Sequence, residues 1–293
     1  MLNGKRSIFN NRFAGGWLDQ RYHLMSWAYS CLQLRRFYKD VELVTDAQGK
    51  ALLVDQLQLP YTRVDAVLNQ LDHYNPELWV LGKIHAYSLQ DTPFIHVDGD
   101  VFIWKKFDER LERGELIAQN AEVDFPIYEE ESDWLLEHGF ILPQVLRDAR
   151  EKGLSFDAYN AGIMGGNNIG FLKDYVRTFM EFVTVNRDLL GTISSGLVNA
   201  FCEQHLYYAM ARQQGIRVQC YTDSIDRDEL DRTLKGMRMF REAPGNCGFI
   251  HLFGEDTKKE PAICEEIERR LRSEYPEVHE RVGEVVSAAA IAF

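Results

Sequence analysis

The sequence predicts an α/β fold with a mostly parallel central sheet flanked by helices. Apolar residues alternate along the chain between helical and strand spacing, and two carboxylates directly follow one apolar strand. Alternating helices and strands are typical of parallel sheets covered on both faces, whose ligands gather beyond the carboxyl ends of the strands. With 293 residues and 45% hydrophobic content, the chain can bury a large core. We therefore expect a single domain over residues 1–293.

Apolar spacing in the first hundred residues predicts three steps from helix to strand. The first helix is indicated by Leu24, Trp27, Cys31 and Leu34, which recur at three- and four-residue steps. The predicted segments are a helix at 24–34, a strand at 41–45, a helix at 64–71, a strand at 79–81, a helix at 85–89 and a strand at 94–97.

The second half continues this pattern around one interruption. Strands are predicted at 116–118 and 248–250. We interpret segment 125–156, with its acidic run and a helix near 145–152, as an insertion beside the predicted ligand site. Ile263, Ile267 and Leu271 repeat at four-residue steps and predict a C-terminal amphipathic helix at 262–284.

Charge and cysteine usage exclude several classes of protein. A net charge of -12 argues against nucleic acid as a partner, because binding the phosphate backbone needs a basic surface. Five cysteines without a CxxC pair indicate neither a zinc site nor a disulfide framework. The sequence shows no secretory signal, and its apolar tail at 285–293 is shorter than the roughly 20 residues that span a bilayer. We expect a cytoplasmic protein with no transmembrane segment.

The strongest chemical signal is the triplet Asp98-Gly99-Asp100, directly after the apolar strand at 94–97. Side chains two residues apart in an extended chain point the same way, and carboxylate oxygens suit hard cations such as Mg²⁺ or Mn²⁺. The alternative is a simple turn between two strands.

Two further motifs place amides and a carboxylate where a ligand could meet them. In the segment Tyr159 to Gly166, Asn160 offers an amide to a sugar hydroxyl, and the neighbouring Gly162 leaves space for the ring. Glu203 and Gln204 lie at the start of a predicted helix and could face a cleft. The alternatives are a glycine-rich turn for the first motif and exposed helix decoration for the second.

A histidine and a lysine follow the last predicted strand. His251 could complete a metal site begun by two carboxylates, and Lys258, which comes after Gly254, could neutralise a diphosphate. A single histidine is more often structural than ligating.

In this order, the four motifs resemble the signature of GT-A glycosyltransferases, particularly the glycogenin-like and lipopolysaccharide-galactosyltransferase-like group, over about residues 41–259. That group has a DxD motif after a central strand, an FNAG-type segment, an acidic-Gln-acidic triplet and an HxxGxxK-type segment. The resemblance implies one Rossmann-like nucleotide-diphospho-sugar transferase domain. The sequence departs from the pattern at His205, where a second acid is usual, and in the longer spacing from Gly254 to Lys258.

The resemblance also implies a role for each candidate residue. Mn²⁺ or Mg²⁺ would be bound by Asp98, Asp100 and His251. The nucleotide-sugar donor would be contacted by Lys83, Asp98, Asn160, Gly162, Gly254 and Lys258. The catalytic candidates are Gln204, Glu203 and Asp124. The acceptor would be a carbohydrate, a lipid or a protein, and the insertion at 125–156 would lie on the acceptor side of the site.

The group that the sequence resembles retains anomeric configuration, which implies no obligatory protein base. Inversion would instead need a carboxylate opposite the leaving group, and Asp124 or Glu122 could serve. Two rival functions stay open. A metal-dependent phosphohydrolase also uses paired aspartates, and a glycosyltransferase fold without activity could act as a carbohydrate-binding module.

Overall fold

A computed structural model describes residues 15–191, 197–222, 225–226, 240–245 and 247–291. Its helices, in chain order, are α1 (Gln20–Phe37), α2 (Ala47–Lys50), α3 (Val80–Ser88), α4 (Glu109–Glu112), α5 (Pro126–Glu137), α6 (Gln144–Glu151), α7 (Ile169–Val185), α8 (Arg187–Leu190), α9 (Leu197–Ala200), α10 (Leu206–Gln213), α11 (Glu255–Lys258), α12 (Pro261–Glu274) and α13 (Pro276–Ile291). Two π-helical segments, Ala51–Gln56 and Phe201–His205, continue α2 and precede α10. Short 3-10 turns lie at Leu68–Leu71 and Phe240–Glu242.

The strands are short. In chain order they are β1 (Glu42–Thr45), β2 (Arg63–Ala66), β3 (Phe94–Val97), β4 (Val101–Ile103), β5 (Leu116–Ala118), β6 (Ala121–Val123), β7 (Ala158–Tyr159), β8 (Ile163–Gly166), β9 (Val218–Cys220), β10 (Ile225–Asp226) and β11 (Phe249–His251). They form small sheets with the orders β1-β2, β10-β6-β7, β11-β4 and β3-β8-β5-β9.

The prediction of a mostly parallel central sheet flanked by helices is wrong. In the four-stranded sheet, β8 runs antiparallel to both β3 and β5, and only β5 and β9 are parallel. The β11-β4 pair is antiparallel, and the β1-β2 pair is a separate parallel ribbon. Parallel strands need a crossover connection, usually a helix, that returns the chain to the same end of the sheet. Here β8 follows β7 with no helix between them and lies antiparallel between β3 and β5. The fold does not show the GT-A architecture that the resemblance implied.

The described residues belong to two compact units that are interleaved in sequence. Among the described residues, the first unit lies within 15–69, 98–106 and 240–291, and the second within 70–97 and 107–226. Each has its own buried apolar cluster.

The first unit is built around α1, which packs on β4, α12 and α13. The helix begins where the Asp19 side chain accepts hydrogen bonds from the backbone N–H groups of Arg21 and Tyr22, which have no partner within the helix. The buried ring of Tyr29 lies edge-on to Phe102 of β4, with ring centroids 5.2 Å apart. These contacts fix α1 against the strand that follows Asp100.

The second unit contains the sheet β3-β8-β5-β9, and its helices include α3, α7 and α10. The side chain of Asn168 caps α7 by accepting from the backbone N–H of Phe171 at 2.9 Å. Segment 125–156, which we interpreted as an insertion, supplies α5 and α6, and Leu135, Phe140 and Leu146 from it are buried in the apolar cluster of this unit.

Several predicted elements are confirmed, among them the first helix and the strands at 94–97 and 116–118. The helix predicted at 64–71 is wrong, because residues 63–66 pair with β1 as strand β2. The strand predicted at 79–81 is also wrong, because Trp79 caps α3 and the next residues form its first turn. Where one C-terminal helix was expected, the structure has α12 and α13, divided at Tyr275. No helix in the described part of the chain has both the length and the apolar character needed to cross a membrane.

Candidate metal centre

The triplet Asp98-Gly99-Asp100 forms a tight turn before β4, held in place by α1. The backbone N–H of Val101 donates to the carbonyl of Asp98 at 3.1 Å, and the Ser26 hydroxyl donates to the carbonyl of Gly99 at 2.8 Å. A Cβ added at Gly99 would lie 2.7 Å from the Trp27 ring, so the turn can approach α1 this closely only with glycine.

Pairing of β11 with β4 brings His251 to this turn. His251 lies opposite Val101 in the antiparallel register, and the backbone N–H of Leu252 donates to the carbonyl of Asp100 at 3.0 Å. The imidazole Nε2 of His251 is 3.4 Å from Oδ1 of Asp100. One ligand atom from each of Asp98, Asp100 and His251 lies within 4.8 Å of the other two. The structure therefore brings together the three residues proposed as metal ligands.

Lys258 joins the same cluster from α11. This one-turn helix starts after Gly254, whose φ of 79° is in the left-handed region that favours glycine. The ammonium Nζ of Lys258 is 2.7 Å from Oδ2 of Asp100 and donates to the carbonyl of Gly15 at 3.2 Å. The side chains of Lys258 and Asp100 are only 17% and 15% exposed, so little water screens the ion pair.

The surroundings of Asp100 keep it ionised. Burial raises its pKa, but Lys258 and then His251 lower it more, and the resulting pKa is about 2. The buried Oδ1 atom lies 3.4 Å from Nε2 of His251, a long contact that contributes to the lowered pKa, and it has no other hydrogen-bond partner among the described residues. A buried carboxylate oxygen with so weak a donor contact is suited to accept a cation. The two carboxylates suit hard cations such as Mn²⁺ and Mg²⁺, and the imidazole adds a nitrogen ligand, which Mg²⁺ accepts less readily than Mn²⁺.

Other predicted site residues meet in the second unit. Lys83 of α3 forms an ion pair with Glu203, with 2.7 Å between Nζ and Oε1, and donates to the carbonyl of Ala161 at 3.3 Å. The Glu203 side chain is 1% exposed. A buried carboxylate needs a counter-ion, so Lys83 neutralises Glu203 in this structure.

A second polar network connects Asn160 to Gln204. The amide Nδ2 of Asn160 donates to Glu122 at 2.9 Å, and the Tyr128 hydroxyl contacts both Glu122 and, at 3.0 Å, the side-chain amide of Gln204. A tyrosine hydroxyl has one hydrogen. If it donates to the Glu122 carboxylate, Gln204 must turn its NH₂ group toward Tyr128.

The positions of Gly162, Asp124 and His205 are also defined. The backbone N–H of Gly162 donates to Oδ1 of Asn160 at 3.1 Å, so this amide holds the turn before β8. Asp124 is exposed, with a φ of 58°, at the end of β6. His205 is buried against Phe156, and burial lowers its pKa, so its imidazole is neutral at neutral pH.

Sequence reasoning missed the residues that support these sites. On α1, Ser30 donates to the carbonyl of Asp98 at 3.4 Å, and both Ser30 and Ser26 are buried. Hydroxyls four residues apart within the apolar stripe of a helix are a usable signal, because a buried serine requires a partner. Tyr128 of α5 lay within the segment interpreted as an insertion and carried no such signal.

The two aspartates and the histidine define a candidate site for a divalent cation. The chain belongs to the family of unknown function DUF6734, whose pattern matches residues 4–285. Comparison with curated proteins and with solved structures found no match.

Proposed function

We propose that this protein is a metal-dependent glycosyltransferase. It would use Mn²⁺ or Mg²⁺ at Asp98, Asp100 and His251 to hold the diphosphate of a nucleotide-sugar donor, and it would transfer the sugar to a carbohydrate, lipid or protein acceptor. The order of the motifs along the chain supports the transferase, and the site geometry supports the metal.

The observation that carries the proposal is the buried carboxylate oxygen of Asp100. Apart from Nε2 of His251 at 3.4 Å, its Oδ1 has no hydrogen-bond donor in the described part of the chain, and ligand atoms of Asp98 and His251 lie within 4.8 Å. A bound divalent cation would supply positive charge that stabilises a departing nucleoside diphosphate. Asp98 and Asp100 would hold that cation as carboxylates, and the ammonium of Lys258, at 2.7 Å from Asp100, would add charge for the phosphate oxygens.

The roles of Asn160, Gln204 and Lys83 toward the donor stay predictions. The side-chain amide of Asn160 already donates to Glu122 and accepts from Gly162. It would therefore have to contact a sugar with its remaining N–H, or after one of these hydrogen bonds breaks. A reducing compartment such as the cytoplasm is also part of the proposal, since all five cysteines are free.

Isothermal titration with nucleoside diphosphates, with and without Mn²⁺, tests the proposal, followed by a screen of nucleotide sugars for donor hydrolysis. We expect binding that depends on Mn²⁺ and is abolished in Asp100→Asn. The matched control is Asp55→Asn, because Asp55 is also paired with a lysine, Lys50, at 3.1 Å, but is 54% exposed. The control should bind like the wild type.

Three other outcomes would overturn the proposal, the first two by rejecting glycosyl transfer and the third by rejecting its metal centre. Phosphatase activity on simple esters without nucleotide affinity would indicate a phosphohydrolase. Nucleotide binding without turnover of any donor would indicate a binding module. Unchanged Mn²⁺-dependent affinity in Asp100→Asn would remove the metal centre from the proposal.

A further inference from the structure

We infer that Lys258 and a divalent cation compete for Asp100, so that the lysine acts as an internal counter-ion that leaves the carboxylate when the metal binds. The inference rests on the proposed function, because it concerns the same metal centre. It adds a property that the motifs do not contain, namely that the lysine opposes metal binding.

The first argument is the position of the lysine ammonium. Its Nζ lies 2.7 Å from Oδ2 of Asp100, and both side chains are more than four-fifths buried. At this distance the ammonium neutralises the carboxylate that is central to the proposed site. A cation that binds at Asp98 and Asp100 would find the charge of Asp100 already neutralised by Lys258.

The second argument is repulsion. Two like charges a few ångströms apart in a poorly hydrated site repel strongly, because little water screens them. A divalent cation shared by Asp98, Asp100 and His251 would lie beside the ammonium if Lys258 kept its present contact. Metal binding and the ion pair therefore oppose each other, and removing the lysine charge should strengthen metal binding.

The third argument is that Lys258 can leave. It is the last residue of the one-turn helix α11, and besides Asp100 its ammonium contacts the backbone carbonyl of Gly15, at 3.2 Å. Its stem passes close to Gly16, where an added Cβ would lie 3.5 Å from Cδ of Lys258. A lysine stem has four rotatable bonds, so the ammonium can exchange Asp100 for another anion without refolding.

The test measures Mn²⁺ binding without nucleotide, by the electron paramagnetic resonance signal of free Mn²⁺. We expect Lys258→Gln to bind Mn²⁺ roughly tenfold more tightly than the wild type, the effect of removing one partly buried ion pair. Lys258→Arg keeps the charge and should stay within about threefold of the wild type. Lys50→Gln is the matched control, because Lys50 pairs with Asp55 at 3.1 Å on an exposed surface, and it should not change the affinity.

A second measurement uses the wild-type protein and therefore does not depend on how Lys258→Gln folds. Reductive methylation followed by peptide mass spectrometry reports how accessible each lysine amine is. We expect Mg²⁺ to accelerate modification of Lys258 severalfold and to leave Lys50 unchanged.

The outcomes separate this inference from the proposed function. If the wild type binds Mn²⁺ but Lys258→Gln binds it no more tightly, or if Mg²⁺ does not change the modification rate of Lys258, the competition is overturned and the metal centre stands. If neither the wild type nor Lys258→Gln binds Mn²⁺ at millimolar concentration, the metal centre itself is rejected, and the competition with it.

Discussion

At the scale of single residues, Asp100 is subject to two opposing effects. Burial raises the pKa of its carboxyl group, and the cationic Lys258 with the imidazole of His251 lowers it, so that the pKa falls from the usual 3.8 to about 2. A folded-state pKa below the unfolded value means that the ionised carboxylate stabilises the fold. The contribution is complete above about pH 4 and is lost as the pH falls toward 2.

This difference predicts a pH-dependent effect of Asp100→Asn. The pKa of Asp100 is lower by nearly two in the folded state than in the unfolded state, which corresponds to about 2 kcal/mol of unfolding free energy. We expect the free energy of unfolding of the variant to be lower than that of the wild type by about that much at pH 6. This difference in unfolding free energy should shrink as the pH falls from 4 toward 2. Urea unfolding at a series of pH values measures it. A gap that stays constant to pH 2 would show that the carboxylate charge is not what stabilises the site.

Gly99 gives a second prediction at this scale. An alanine Cβ would lie 2.7 Å from the Trp27 ring, and overpacking of this kind costs about 1–3 kcal/mol. We expect Gly99→Ala to lower the free energy of unfolding by that amount. Combining it with Trp27→Leu, which removes the ring, should recover part of the loss relative to Trp27→Leu alone. Strictly additive effects of the two substitutions would contradict the steric explanation.

The residues of the candidate metal centre could be predicted from the sequence, whereas the contacts that support them could not. Asp98, Asp100 and His251 are residue types with a specific chemistry, and each adjoins an apolar strand, so type and position together indicated a shared site. The contacts of Ser26 and Ser30 with carbonyls of the turn join residues about seventy positions apart. Such a pairing depends on how α1 packs, which local sequence does not determine.

At the scale of elements, short apolar runs misled the prediction where a longer window would have succeeded. Val80, Leu81, Ile84 and Tyr87 are all buried on α3, and their spacing is that of one helix face, although the run at 79–81 alone suggests a strand. For β2, the decisive interaction is parallel pairing with β1. That partner lies about twenty residues earlier, so the helical spacing of 64–71 was overridden by tertiary structure.

The C-terminal helix α13 offers a prediction of increased stability. Gly283 lies within this helix, is exposed, and has no heavy atom within 4 Å of the position that a Cβ would take. Glycine within a helix is less favourable than alanine by about 0.5–1 kcal/mol. Gly283→Ala should raise the free energy of unfolding by that amount in urea titrations. Unchanged or lower stability would imply that this part of α13 is not helical in solution.

At the scale of the whole molecule, the order of elements was predicted better than their arrangement. Helices and strands are both spread along the chain, but strands often follow one another directly, as at 94–103, 116–123 and 158–166. The short strands pair in small sheets of mixed direction, and pairing between distant strands leaves no local signal in the sequence. The division into two units is equally hidden, because the first unit takes residues 98–106 from the middle of the chain. That short segment carries two of the three proposed metal ligands into the unit that contains His251.

This arrangement predicts which segments metal binding will protect from hydrogen exchange. All proposed ligands and Lys258 belong to the first unit, and a ligand at 100 times its Kd stabilises the state that binds it by about 2.7 kcal/mol. We expect saturating Mg²⁺ to slow hydrogen exchange roughly tenfold or more in residues 98–103 and 249–258, because opening these segments would release the ion. Exchange followed by peptide mass spectrometry measures this, with Asp100→Asn as the control in which Mg²⁺ has no effect. Equal protection in the variant, or protection absent from both segments in the wild type, would contradict a cation held between β4 and β11.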